Sequence, residues 1–142
     1  MKSFFDTSVL VAVFWEDHPN HKTSLDLFYD ARKKEAACAV HTLAEVYAVM
    51  TRLPVRTALA PEQVILFIQE IRQRLTVITL GEDDYYSTLQ ETAERNLTGG
   101  RIYDALLLRC AIKAKAETLY TWNLKHFEPA THSFPGKVKT PS

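Results

Sequence analysis

The chain has 142 residues, 46% of them apolar and 24% charged, and its 17 Lys and Arg balance 17 Asp and Glu. These values exclude wholesale disorder and suit one domain, residues 1–142, around a single core. A formal net charge of zero argues against a dedicated, strongly basic DNA-binding module, while an enzyme whose acids gather in one pocket remains compatible with it.

In chain order, KSFFD (2–6) reads as a short strand running into TSVLVAVFW, a helix apolar almost all round and therefore buried. A second helix is expected through HKTSLDLFYDARKKE, then a buried strand, AACAV. The helix HTLAEVYAVMTRL follows and stops before Pro54. Pro61 opens the next helix, PEQVILFIQEIRQR, at its first position, and LTVITL is a β-branched strand. EDDYYSTLQETAERNL carries acids in its first turn and is expected to end at Gly99-Gly100. A helix through RIYDALLLRCAIK, the strand TLYTW and a tail with one edge strand complete the chain. No run is long enough to span a membrane. The start MKSFFDTSVL lacks the apolar stretch of a signal peptide. A cytoplasmic protein is therefore expected, with Cys38 and Cys110 buried and reduced.

Short buried strands alternating with helices imply an α/β fold, a parallel sheet with helices on both faces. Ligands of such sheets gather at the carboxyl ends of the strands, where strand order reverses. Asp6, Glu45 and Asp104 fall there, and Asn123 follows the fourth strand directly. Each has a bland explanation. Asp6 can cap a helix, Thr42 and Glu45 match a capping box, Asp104 suits a helix N-terminus, and Asn123 can cap its turn. Asp104 resists that explanation. At 3.6 residues per turn it shares its azimuth with Leu108, Ala111 and Ile112, away from Arg109 and Lys113. An unpaired carboxylate facing the core is costly, and several acids at one sheet edge repel one another unless a cation neutralises them. An oxygen-only donor set suits Mg²⁺ or Mn²⁺. Zinc would ask for His or Cys, and the close pair His18 and His21 falls in EDHPNH, read as a solvated loop.

FFDTSVLVAVF, HTLAEVYAVMTRLP, IYDALLLRCA and TLYTWNLKHF, in that order and spacing, resemble the PIN-domain ribonucleases, and among them the VapC-type toxins of bacterial toxin–antitoxin pairs. The resemblance implies a three-layer fold with a five-stranded parallel sheet and a Mg²⁺-dependent endoribonuclease in which Mn²⁺ can substitute. It also implies a homodimer and a small cognate antitoxin that silences the toxin. It places the acidic metal ligands at Asp6, Glu45 and Asp104; the fourth position, often Asp in the family, is Asn123 here. Metal-ligand and base roles are both open to Glu45, and Asn123 would orient water or a neighbouring ligand. Arg101 and Lys125, with His126, are placed to take up RNA phosphate charge, and Arg52 and Arg56 are further basic candidates.

Surplus apolar surface on VILFIQEI and on the first helix is expected to form the dimer interface and a groove for an antitoxin helix. The resemblance leaves one alternative, a PIN-like module that binds RNA or protein without cleavage. A phosphatase with paired strand-end acids would need a second Asp where Ser8 stands.

Overall fold

The computed structural model describes residues 1–54, 59–128 and 133–142. Five strands, β1 (Ser3–Phe5), β2 (Ala36–Ala39), β3 (Thr76–Ile78), β4 (Thr118–Tyr120) and β5 (Lys137–Lys139), form one sheet in the order β3-β2-β1-β4-β5. Every pairing is parallel. Seven helices lie among the described residues: α1 (Thr7–Phe14), α2 (His21–Asp30), α3 (Val40–Met50), α4 (Pro61–Arg74), α5 (Glu82–Glu94), α6 (Arg101–Lys113) and α7 (Leu124–Phe127). The α/β sandwich expected from the alternating pattern is therefore present.

Adjacent side chains of a strand point to opposite faces, and Phe4 and Phe5 use that alternation to seed two cores. Phe5 packs with Val9, Leu10, Phe28, Val46, Val64 and Ile71, beneath α1 to α4. Phe4 packs with Leu107, Leu108, Ala111, Leu119 and Phe127, beneath α6 and α7. Both rings are fully buried. The three alanines of β2 and Cys38 between them are all buried, because small side chains let helices approach an inner strand from both sides.

The boundaries differ from the sequence reading in several places. α2 ends at Asp30, because Ala31 turns extended and residues 33–35 form a turn into β2. α5 ends five residues before the glycine pair: Asn96 takes φ 58°, and Leu97 N donates to Thr92 O at 3.2 Å, a left-handed stop that Asn tolerates. α7 was not anticipated, since four residues carry no periodicity. The turn holding His18 and His21 is not simply solvated. His21 Nδ1 lies 2.9 Å from Ala12 O, and His18 Nδ1 accepts from Asn20 N at 3.0 Å. Burial, then the charge of His21, holds His18 below its ordinary pKa.

Strand order reverses between β1 and β4, the two strands that share the centre of the sheet. Their carboxyl ends open a crevice at Asp6 and at Thr121 to Asn123. α3 starts, and α6 starts, at the same edge.

Candidate active site

Asp6 directly follows β1, and its amide still donates to Tyr120 O of β4 at 2.9 Å. It occupies the N-cap position of α1, yet makes no side-chain cap hydrogen bond. Its carboxylate, 7% exposed, is held from the side instead. Ser8 Oγ and Thr121 Oγ1 each donate to Asp6 Oδ2 at 2.7 Å. Both hydroxyls are themselves fixed by the turn after β4, since Trp122 N donates to Ser8 Oγ at 3.0 Å and Asn123 N to Thr121 Oγ1 at 2.9 Å. Two backbone amides thus act through two hydroxyls on one carboxylate oxygen, leaving Oδ1 as the atom without an intramolecular bond among those described.

Glu45 is positioned by the same principle. The capping-box explanation fails, because α3 begins at Val40 and places Thr42 inside the helix and Glu45 in its second turn. Thr42 is fully buried, and its Oγ1 contacts Thr7 Oγ1 at 3.1 Å. Thr7 Oγ1 donates to Glu45 Oε1 at 2.9 Å, and His41 Nε2 stands 3.8 Å from the same oxygen. Consecutive residues of α1, Thr7 and Ser8, therefore orient the acids of two different elements.

Asp104 lies in the first turn of α6, half-buried, on the azimuth of buried Leu108 and Ala111. The far face meets α5: Arg109 pairs with Glu91 and Lys113 with Asp84. The Asp104 carboxyl is held above the ordinary carboxylate range, chiefly by burial. His126 opposes that shift, the charges of Asp6 and Glu45 reinforce it, and Arg101 opposes it again. Asp6 and Glu45, far from Asp104 in sequence, thus lie near enough to add to the upward shift of its carboxyl. Among the described residues, no three His, Cys, Asp or Glu side chains already stand in a group compact enough to enclose an ion. Their all-oxygen chemistry and mutual repulsion nonetheless fit a hard divalent cation rather than zinc.

Around these acids, Arg101, Asn123, Lys125 and His126 are exposed. Asn123 holds the N-cap position of α7 without a side-chain cap bond. Arg52 is exposed beyond α3, and Arg56 lies outside the described residues. Sequence reasoning missed Thr7, Ser8, Thr42 and Thr121. The signal available for three of them was a hydroxyl residue directly beyond a strand end, in Asp6-Thr7-Ser8 and in Tyr120-Thr121.

A PIN-domain family model matches residues 3–128. The chain belongs to the PIN-domain family. It is 33% identical over 123 residues to ribonuclease VapC40 of Mycobacterium tuberculosis, covering 87% of each chain. It is 30% identical over 112 residues to ribonuclease VapC27 of the same organism, covering 79% of this chain and 78% of the relative. Its fold superposes on crystalline M. tuberculosis VapC20, a sarcin-ricin-loop-cleaving toxin, with TM-score 0.71 at 16% identity over 94% of this chain and 96% of the other. A toxin–antitoxin complex from Klebsiella pneumoniae aligns with TM-score 0.68 at 20% identity over 99% and 98%. The PIN-domain resemblance stated from four motifs is borne out, as is the three-layer fold.

Proposed function

We propose that this PIN domain is a divalent-metal-dependent endoribonuclease, the toxin of a toxin–antitoxin pair. The observation that carries this reading is that the consecutive hydroxyls of Thr7 and Ser8 hold Glu45 and Asp6 side by side at the carboxyl edge of the sheet, near enough to Asp104 to raise its carboxyl, with capping explanations failing for Asp6 and Glu45. Ribonuclease activity in the names of the relatives at 33% and 30% identity supports the same class. Asp6, Glu45 and Asp104 would hold Mg²⁺ or Mn²⁺. Such an ion supplies a bound water of lowered pKa and a polarised phosphate.

The chain's own groups do the rest. Ser8 and Thr121 hold Asp6 by Oδ2, which leaves Oδ1 free to take a ligand. Thr7 keeps Glu45 oriented to accept a proton or hold an attacking water in line. Arg101, Lys125 and His126 take up phosphate charge at the rim, and Asn123 orients a water or a neighbouring ligand. Cleavage of a labelled single-stranded RNA that needs Mg²⁺ or Mn²⁺, and is lost with chelator and in Asp104→Asn, tests the proposal. Cleavage by Asp104→Asn at the parent rate would overturn it. Asn123, at a position often held by Asp in the family, favours a second reading, RNA binding without cleavage, which the same assay separates.

The antitoxin would dock in the groove of about 520 Å³ between α1, α2 and α4, lined by Phe14, Trp15, Leu25, Leu53 and Phe67, with Glu16 and Asp17 at its edge. An amphipathic helix with an apolar stripe and a basic flank is complementary to those walls. Ile65 and Leu66, exposed on α4, are assigned to a homodimer contact, which light scattering of the purified chain would test.

A further inference from the structure

Beside the acids, the rings of His41 and Tyr103 stack with an interplanar angle of 3° and centroids 5.7 Å apart. His41 is the second residue of α3 and Tyr103 the third of α6, so the stack bridges the two helices that carry Glu45 and Asp104. A pair made only to pack those helices would be buried. Here Tyr103 is 55% exposed and the His41 side chain 46% exposed. The pair is also continuous with the acid site. His41 Nε2 approaches Glu45 Oε1, and Tyr103 directly precedes Asp104. Alongside the rings lies a cavity of about 50 Å³ walled by Val40, Leu80, Tyr85 and Leu106, room for a few waters that an apolar ring edge would displace.

We infer that His41 and Tyr103 form a stacking platform for an unpaired nucleobase next to the scissile phosphate. This rests on the reading of the acids as an RNA-cleaving site. Aromatic faces are the usual means of gripping splayed bases. Because the cavity walls offer few hydrogen-bonding groups, the platform holds any base by its π-face, as sequence-tolerant stacking sites do. Edge recognition at this position is absent from the scheme, and purines, with the larger ring, are held more firmly than pyrimidines.

The test uses the full chain in chelator with ten-nucleotide single-stranded RNAs of mixed sequence, each carrying one 2-aminopurine, whose fluorescence falls on stacking. The expected result is quenching at one or two probe positions. Tyr103→Ala should abolish that quenching and weaken binding about tenfold, the range of one lost base stack. Tyr103→Phe should retain both, which separates loss of the ring from loss of the fold. No quenching at any probe position, or equal quenching in Tyr103→Ala, would overturn the inference. Because binding is read without metal, a protein that quenches but never cleaves RNA refutes the nuclease reading and leaves the platform standing. Cleavage without quenching does the reverse.

Discussion

Thr121→Val removes one hydroxyl and leaves the shape of the side chain almost unchanged. Thr121 is fully buried, donates to Asp6 Oδ2 at 2.7 Å and accepts from Asn123 N at 2.9 Å. A hydrogen bond to a charged group is worth roughly 1.5–3 kcal/mol and a neutral one about 0.5–1.5 kcal/mol. Ser8 still serves the same carboxylate oxygen and softens the loss, and the added methyl gains under ~1 kcal/mol of apolar burial. The net expectation is a destabilisation of about 2–3 kcal/mol, equivalent to a melting temperature lower by roughly 5–10 °C in a domain of this size. Urea denaturation in chelator measures it, with Thr121→Ser as the control expected to stay within about 1 kcal/mol. Cleavage by folded Thr121→Val should fall as well, because Asp6 loses one of its two side supports. A stability change under about 0.5 kcal/mol would show that Thr121 does not restrain Asp6.

Asp104→Asn should raise metal-free stability at neutral pH, since it relieves both the burial of a charge and its repulsion by Asp6 and Glu45; a clear loss in thermal melts would favour helix capping instead. The Asp104 carboxyl titrates higher in the folded chain than in the unfolded one, so the folded state binds the extra proton. Metal-free stability should therefore fall as pH rises through the carboxylate range and level off above it, a slope that melts of Asp104→Asn across pH should lack. Added Mg²⁺ or Mn²⁺ should raise the melting temperature of the parent by linkage, by an amount that grows with ion concentration, and calorimetry should find that response much reduced in Asp104→Asn. Leu53→Asp, which places a charge in the apolar groove, should abolish co-purification with a co-expressed cognate antitoxin while the circular dichroism spectrum stays that of the parent.

The layering was legible because it depends on patterns that survive in one dimension. Short, mostly apolar inner strands, the apolar α1 and Pro61 at the head of α4 each predict local structure from local residues. The acids were legible because Asp104 sits on the wrong azimuth for a surface charge, a contradiction visible without coordinates. The hydroxyls were not, because Thr and Ser beyond a strand end serve equally well as caps, and only the meeting of β1 with β4 turns Thr121 towards Asp6. The stack of His41 on Tyr103 was hidden for the same reason, since its rings come from helices separated by one strand and two further helices. The stop of α5 at Asn96 lost to the more obvious glycine pair, because Asn enters the left-handed region less often than Gly yet does so here.

Anomalous diffraction from a crystal soaked in manganese tests the shared acid site most directly. The expected result is a manganese peak bonded to carboxylate oxygens of Asp6 and Asp104, with Glu45 bound directly or through a water. Manganese absent from that crevice at saturating concentration, with the Asp6 and Asp104 carboxylates pointing apart, would contradict it.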